Sequence, residues 1–304
     1  MSWRTVVIST ASKISLHRKN FLYSPLKGES ISVPIEDISV IVLETHQVSI
    51  TNALLSKIAE LNIVLFSCDD KHTPNGVFLP FHQHSRYSLM AHLQTEWTKP
   101  FKKKMWQKII IQKIKNQAYC LKYIKNENHK SIYNLSLHVK SGDSTNVESS
   151  SAKLYFEYLF APFNRRDDED WRNSALNYGY SLVRGAVARS LVSYGLIPSF
   201  GIHHCNQLNA FNLADDIIEP FRAFVDVVVY EMYVENIDKI AQRKQRFIKE
   251  DKNRLYELFD VKVKIDNYHT TLLNACDTVA SSLANATKSK EHEDIFLPSL
   301  DVDE

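Results

Sequence analysis

Short runs of hydrophobic and polar positions follow one another through the first 80 residues of the chain. β-branched stretches of strand length stand between polar or turn residues. The predicted strands cover residues 5–9, 13–17, 30–35, 38–43 and 63–66. An amphipathic helix that Asn52 can cap interrupts them, and Pro74, Asn75 and Gly76 indicate a turn. This pattern predicts a small, mostly antiparallel β domain.

The period changes to that of helices after about residue 85. Apolar residues then recur at i, i+3 and i+4 over long stretches. The predicted helices cover residues 85–97, 101–125, 150–160, 168–194, 215–240 and 268–286. We therefore expect an α+β fold in which a small N-terminal β-rich domain, residues 1–85, precedes a larger all-helical domain, residues 86–304. The tail from about residue 288 alternates in charge, ends acidic, and is expected to be frayed.

Composition excludes several classes of function. The 304 residues include 7 glycines, where average use gives roughly 20, and neither a G-x-G-x-x-G nor a Walker A motif occurs. The four cysteines form no C-x-x-C pair, which fits a reducing compartment. The N-terminus lacks signal-peptide features, and no apolar run reaches the ~18 residues of a membrane span. We expect a cytoplasmic protein with no membrane partner.

Positive charge is concentrated in one segment, although the formal net charge is only +2. Ten lysines and one acidic residue lie between Lys99 and Lys130, with aromatic residues among them. A helical hairpin of this composition can follow a DNA backbone, although a solvated helix face would look the same. Because the acidic residues cluster elsewhere, we favour the DNA interpretation. The candidate phosphate contacts are Lys102, Lys103, Lys104, Lys108 and Arg222.

Three segments carry side chains suited to a divalent metal. Glu148 begins a predicted helix and shares its inward face with Ala152 and Tyr155. The alternative is that Glu148 only complements the helix dipole. A loop bracketed by Gly195 and Gly201 presents two adjacent histidines. Neighbours in an extended chain point in opposite directions, so at most one of them reaches a given site.

The third segment contains Asp215 and Glu219, which are spaced i, i+4 and repel each other on a helix unless a cation compensates. Pro220 disfavours helical geometry at Glu219 and kinks or restarts the helix there. Carboxylates with an imidazole suit Mg²⁺ or Mn²⁺, and zinc-type spacing is absent. Taken alone, these residues leave the metal site an open question.

Four stretches in these regions resemble a known family. They read ESSSAKLYF at 148–156, LNYGYSLVR at 176–184, GIHH followed by NQ within 201–207, and NAFNLADDIIEPFR at 209–222. They are similar to the integrase subunit of CRISPR spacer acquisition, CRISPR-associated protein one, in its type II branch. The resemblance implies a Mg²⁺ or Mn²⁺ ion held by Glu148, His204 and Glu219, of which His204 ends the Gly-x-x-His element. Because some branches use an additional acid near Asp215, that residue is a candidate for a water-mediated contact.

The resemblance also implies a reaction and partners. A prespacer DNA 3′-hydroxyl would attack a phosphorus in the repeat of the array, and the repeat strand's 3′-oxygen would leave. His204 must be neutral to bind the metal, so activity should fall below its pKa. The family works as homodimers bridged by a small second subunit, CRISPR-associated protein two. We expect the β domain to dimerise because its strand edges need covering.

Two alternative functions remain at this stage. One is a metal-dependent nuclease that cuts branched DNA with water as the nucleophile. The other is a non-catalytic DNA-binding scaffold in which the three predicted ligands are only structural.

Overall fold

The structure is a computed structural model and describes residues 4–80 and 85–300. Two four-stranded sheets and one helix make up the N-terminal region. Its elements are β1 (Arg4–Ile8), β2 (Ser12–His17), β3 (Asn20–Pro25), β4 (Ile31–Pro34), β5 (Ile38–Leu43), β6 (Val48–Ile50), α1 (Asn52–Glu60), β7 (Val64–Cys68) and β8 (Pro74–Phe78). The sheet orders are β1-β5-β7-β8 and β4-β3-β2-β6.

The prediction of a mostly antiparallel domain is wrong. β1, β5 and β7 run parallel, and β6 runs parallel to β2. Alternation along a strand reports which face is buried but not the direction of the neighbouring strand, which the crossover connections decide. The predicted turn at Pro74 is also wrong, because those residues pair with β7. Gly76 lies so close to the Ser67 hydroxyl that a Cβ would collide with it.

The second region is built mainly of helices. They are α2 (Tyr87–Thr95), α3 (Lys99–Tyr123), α4 (His129–Ser136), α5 (Val147–Phe160), α6 (Trp171–Ser193), α7 (Asn212–Ile218), α8 (Arg222–Gln242), α9 (Lys249–Tyr256) and α10 (Leu272–Ser289). The Thr98 hydroxyl caps α3 by accepting a hydrogen bond from the Phe101 N–H. The Asp170 carboxylate caps α6 by accepting one from the backbone N–H of Arg172. Every predicted long helix is present, whereas the short helices α4 and α9 were not predicted. The predicted start of the last helix at residue 268 is wrong, because residues 268–271 form a strand and α10 begins at Leu272.

The expectation of an all-helical second domain is wrong. A small sheet of order β10-β9-β11 forms from β9 (Lys262–Ile265), β10 (Tyr268–Thr271) and β11 (Pro298–Ser299). The predicted frayed tail is wrong for residues 288–300 as well. β11 pairs with β9, and Ile295 is only 3% exposed, so this segment packs on the core. The acidic end, Asp301, Asp303 and Glu304, lies outside the described residues.

One sheet joins the two regions. Ile41 and Leu65 belong to the core of the N-terminal region, while Val40, Val42 and Phe66 pack against the helices. Phe66 approaches Gly185 of α6 so closely that no side chain would fit there. The boundary at residue 85 stays a prediction, since residues 81–84 are outside the described part. Among the helices of residues 4–80 and 85–300, none is long and apolar enough to cross a membrane.

Candidate metal site and the lysine-rich helix

A buried polar stripe on α3 organises the candidate site. Lys113, Asn116 and Gln117 are spaced i, i+3, i+4 and are all buried. The Gln117 side-chain oxygen accepts a 3.1 Å hydrogen bond from the Ser151 hydroxyl of α5. The Asn116 side chain donates to the Pro220 carbonyl at 2.6 Å. α3 therefore docks the two segments that carry the predicted acidic ligands.

Glu148 is fixed at the first turn of α5. The carboxylate of Asp143 accepts from the Val147 N–H at 2.9 Å and from the Glu148 N–H at 3.0 Å. It thereby satisfies two of the free N–H groups at the helix start. Asn146 has a φ of +53° in the left-handed region, which turns the chain into the helix. The Glu148 side chain lies on the same face as Tyr155, which is fully buried.

Glu219 lies in a short 3-10 turn, Glu219–Phe221, that separates α7 from α8. The predicted restart of the helix at Pro220 is present as this 3-10 turn. The prediction that Pro220 disfavours helical geometry at Glu219 is wrong, because Glu219 has helical backbone angles, φ −52° and ψ −45°. The Lys113 ammonium lies 2.6 Å from Glu148 Oε1 and 2.6 Å from Glu219 Oε2, while Arg222 Nε donates to Glu219 Oε1 at 2.9 Å. The structure therefore brings the two predicted carboxylates together, with a lysine between them.

The charges around Glu219 outweigh the cost of its burial. Burial alone would raise the pKa of this carboxyl group, but Arg222 and Lys113 lower it to about 2. Glu219 Oε2 is buried and has no well-directed hydrogen bond, although Lys113 Nζ lies beside it. It is an anionic oxygen that contacts a cation and keeps a lone pair free.

Arg222 is held from its other side by a buried polar network. Its guanidinium lies 4.6 Å from the centre of the Tyr180 ring. Tyr180 and Tyr155 both donate hydrogen bonds to Asp226, the latter at 2.8 Å. Burial raises the pKa of Asp226 to about 6. Arg222 is therefore anchored as a partner of Glu219 in this structure.

The loop that carries His204 is organised by Asp216, whose side chain is fully buried. One Asp216 oxygen accepts from the backbone N–H groups of Ile202 at 2.6 Å and His203 at 3.1 Å. The other accepts from the His204 N–H at 3.1 Å and contacts His204 Nδ1 at 2.7 Å. This hydrogen bond to Asp216 raises the pKa of His204. It fixes the ring so that Nε2 is the nitrogen presented to a ligand.

Residues of α3 and a glycine support the same loop. Lys102 donates to the Gly201 carbonyl at 2.9 Å. A side chain at Gly201 would collide with the His204 carbonyl. The His203 ring stacks on Trp106 at 4.3 Å, while His204 meets the edge of that indole at 5.8 Å. The two rings therefore contact the same indole in different ways, one stacked on it and one at its edge. That only one of them reaches a given site stays a prediction.

Asp215 contacts other partners than Asp216, the next residue in the chain. Its carboxylate binds Arg184 at 2.5 and 3.0 Å and accepts from Asn209 at 2.6 Å. The two acids predicted to repel each other, Asp215 and Glu219, are therefore each paired with their own cation. Asp215 affects His204 only as one of the nearby charges that raise the pKa of its ring.

The three predicted ligands fit a divalent metal in chemistry but do not form a finished cluster. In the described part of the chain, no three His, Cys, Asp or Glu side chains are grouped so that they could hold a metal ion. Glu148 and Glu219 supply anionic oxygens, and His204 supplies a nitrogen that a buried carboxylate orients. The Lys113 ammonium lies between the two carboxylates that a metal would use.

The predicted DNA-binding residues separate into two groups. Lys103 and Lys104 are exposed on α3. Lys102 holds the His204 loop, Lys108 donates to the backbone carbonyls of residues 292 and 293, and Arg222 binds Glu219. Part of the lysine-rich segment is therefore used inside the protein, and direct contact with DNA stays a prediction.

Three residues of the site were not found from the sequence: Lys113, Asp143 and Asp216. The sequence contains a signal for Lys113, because Lys113, Asn116 and Gln117 share one face of a predicted helix whose other inward positions are apolar. Asp216 has no such signal, because its partners are N–H groups of a loop 12 to 14 residues earlier in the chain.

Comparison with known proteins identifies the family. A sequence profile described as CRISPR associated protein Cas1 matches residues 5–257. A Neisseria meningitidis serogroup C protein named CRISPR-associated endonuclease Cas1 is 37% identical over 301 residues, which is 99% of this chain and 97% of that protein. The chain belongs to the Cas1 family. Another Cas1 relative, named CRISPR-associated endonuclease Cas1 1, from Francisella tularensis subsp. novicida, is 25% identical and covers 68% of this chain and 71% of its own length.

Solved structures share the Cas1 fold. A casposase bound to integration product has a TM-score of 0.76 at 18% identity and covers 95% of this chain and 91% of that one. A CAS1 protein from Thermotoga maritima has a TM-score of 0.73 at 16% identity, with 99% and 100% coverage. A Cas6-RT-Cas1–Cas2 complex has a TM-score of 0.70 at 19% identity and covers 97% of this chain and 36% of that one. The N-terminal sheets followed by a helical region are therefore shared with Cas1 structures.

Proposed function

We propose that this Cas1 protein is a metal-dependent DNA integrase that joins the 3′-hydroxyl ends of prespacer DNA into the repeat of a CRISPR array. The observation that carries the proposal is that the Glu148 and Glu219 carboxylates meet at Lys113 of α3. The neighbouring loop carries His204, whose ring is held by Asp216. A casposase, structurally similar to this chain, is described as bound to integration product, which supports joining rather than cutting.

Glu148, Glu219 and His204 would hold Mg²⁺ or Mn²⁺. When bound, the metal would polarise a phosphoryl oxygen, favour the ionised 3′-hydroxyl, and neutralise charge as the phosphorus becomes pentacoordinate. The chain itself does the positioning. Asp216 keeps the proton on His204 Nδ1, and Asp143 holds the first turn of α5 so that Glu148 faces Glu219.

We also propose that the protein forms homodimers, that a small second subunit, Cas2, bridges these dimers, and that the assembly binds double-stranded prespacer and repeat DNA. A similar structure is a Cas1–Cas2 complex, which supports this assembly. The exposed Lys103 and Lys104 extend from the helix that carries Lys113, so they would contact phosphates next to the metal site. Such contacts position DNA without reading its sequence.

The experiment is integration into a supercoiled plasmid, with Mg²⁺ or Mn²⁺ and with or without the small subunit. Glu148→Ala, Glu219→Ala and His204→Ala should each reduce strand transfer by about 1000-fold or more, because each removes a metal ligand. Binding of labelled DNA should stay within a few-fold of the wild type. Glu157→Ala is the matched control, since Glu157 is an exposed glutamate on the same helix as Glu148. Full integration by any of the three ligand variants would overturn the assignment.

A second candidate is a metal-dependent nuclease acting on branched DNA at the same residues, which the name endonuclease given to the Neisseria relative favours. Water would then replace the 3′-hydroxyl as nucleophile. Analysing joined and cleaved products from one branched substrate separates the two reactions. If metal raises the melting temperature but neither product forms, the protein is a non-catalytic DNA-binding scaffold.

A further inference from the structure

One lysine contacts both of the carboxylates that are predicted to bind the metal. The Lys113 ammonium lies 2.6 Å from an oxygen of Glu148 and 2.6 Å from an oxygen of Glu219. Only 10% of the Lys113 side chain is exposed, and only 6% of Glu219. Two carboxylates this close, at a poorly solvated site, repel each other strongly unless a cation lies between them. In this protein the Lys113 ammonium is that cation.

The position of Lys113 is fixed by the way in which α3 packs against the two segments that carry the glutamates. Asn116 and Gln117, one turn further along α3, bind the segments that carry Glu219 and Glu148. α3 therefore holds Lys113 at the level along the helix where the Glu148 and Glu219 carboxylates lie. The side chain reaches inward, whereas Lys104 on the same helix is exposed.

Charge balance makes Lys113 and a divalent metal competitors. Among the side chains in direct contact, the two cations Lys113 and Arg222 balance the two anions Glu148 and Glu219, while Asp226 acts on Arg222 from its other side. Adding a divalent cation while the ammonium stays in place would put two more positive charges into a poorly solvated site, which is costly. The ammonium also occupies the space between the two carboxylates, where a metal held by both would lie.

We propose that Lys113 is a built-in counter-cation that holds Glu148 and Glu219 together in the metal-free protein, and that a divalent metal binds by displacing its ammonium group. Lys113 is a positioning residue in this account. It keeps the acidic ligands assembled before the metal arrives and weakens metal binding by the competition. The inference rests on the proposed function only in taking these carboxylates as the metal ligands.

The test measures Mn²⁺ binding to the full chain without DNA, using the electron paramagnetic resonance signal of free Mn²⁺. Lys113→Met removes the charge and keeps a long side chain. It should bind Mn²⁺ at least about tenfold more tightly than the wild type, since the competing cation is gone. Lys104→Met is the matched control on the same helix, and its affinity should stay within about twofold. Adding Glu148→Gln to Lys113→Met should abolish the gain.

Thermal unfolding supplies a second readout. In EDTA, Lys113→Met should melt below the wild type because Glu148 and Glu219 repel each other, and Mn²⁺ should raise its melting temperature by more than it raises that of the wild type. If Lys113→Met is unfolded in EDTA, recovery of native circular dichroism on adding Mn²⁺ supports the proposal, and failure to recover overturns it. A folded Lys113→Met that binds Mn²⁺ no more tightly than the wild type also overturns it, as does an equal gain in Lys104→Met.

Strand transfer plays no part in this readout, so the two proposals fail separately. A chain whose Mn²⁺ affinity depends on Lys113 but which joins no DNA would defeat the proposed function alone. A chain that integrates DNA but shows no effect of Lys113 on Mn²⁺ affinity would defeat only this inference.

Discussion

The two halves of the candidate site are held in different ways. His204 belongs to a loop fixed by a buried carboxylate that accepts three backbone N–H groups and contacts the ring itself. Glu148 and Glu219 are instead held together by the end of one long lysine side chain. The histidine half is part of the folded main chain, whereas the carboxylate half depends on a cation that can be exchanged. Damage to the first half should therefore lower stability whether or not a metal is bound, and damage to the second should change stability in a way that depends on pH and on metal.

The largest effect is expected from breaking the histidine half at Asp216. Asp216→Ala leaves buried N–H groups of the loop without acceptors, and it should lower the free energy of unfolding by about 3–5 kcal/mol. Asp215→Ala is the neighbouring control. Because the Asp215 side chain is partly exposed and bound by Arg184, its loss should cost about 1 kcal/mol. Urea denaturation of both variants measures the difference, and equal losses would contradict the distinction between these two acids.

Acid unfolding should reveal the carboxylate half. The folded-state pKa of Glu219 is about 2, below its ordinary value of 4.5. Its contribution to stability is therefore fully present above pH 4.5 and is lost as the pH falls towards 2. At about 1.4 kcal/mol per pH unit, the contribution is on the order of 3 kcal/mol.

Glu219→Gln should remove this part of the pH dependence. The measurement is the free energy of unfolding of both proteins, by urea titration at several pH values from 2 to 6. Parallel curves for wild type and variant would show that Glu219 is not held by the charges of Lys113 and Arg222.

The titration of His204 tests the link between the histidine and Asp216. The hydrogen bond to Asp216 raises the pKa of His204 above its usual 6.5. The corresponding stability is present below pH 6.5 and is lost as the pH rises through the higher folded-state pKa. Asp216→Asn should lower that pKa, which NMR of the ring protons in the metal-free protein can follow. An unchanged pKa in Asp216→Asn would mean that Asp216 does not control this ring.

The smallest effects are expected on the exposed face of α3. Lys103→Glu and Lys104→Glu should each weaken DNA binding by a similar factor for every sequence. Each should also reduce the slope of log affinity against log salt by about 1. Filter binding at several salt concentrations gives this slope. An unchanged slope would return the exposed lysines to an ordinary solvated surface.

Local patterns predicted the long elements well. The β-branched runs gave five strands, and the i, i+3, i+4 spacing gave the long helices, because burial of one face leaves its period in the sequence. Pro220 also predicted the restart of the helix, which is present as the 3-10 turn Glu219–Phe221, since its ring is incompatible with a continuous helix. β11 could not be read in this way, because it pairs with a strand more than thirty residues earlier in the chain. β9 and β10 form a local hairpin, but they are only four residues long each, and β10 runs directly into α10, so its residues were assigned to that helix.

The site shows the same limit. Glu148, His204 and Glu219 could be named from their segments and from the family resemblance. Lys113 was harder to single out, since nine other lysines lie in the same segment and the polar face that it shares with Asn116 and Gln117 does not by itself show that the packing of α3 turns it inward. Asp216 likewise gains its importance from a loop that folds over it, a contact between residues 12 to 14 positions apart.

The central claim is that Glu148, Glu219 and His204 form one metal site from which Lys113 is displaced. Anomalous diffraction from crystals grown with Mn²⁺ tests it most directly. We predict one strong anomalous peak in contact with a carboxylate oxygen of Glu148, one of Glu219, and Nε2 of His204, with the Lys113 ammonium moved away from both glutamates. A Mn²⁺ ion bound elsewhere, with Lys113 still joining Glu148 to Glu219 at metal concentrations that support strand transfer, would contradict the claim.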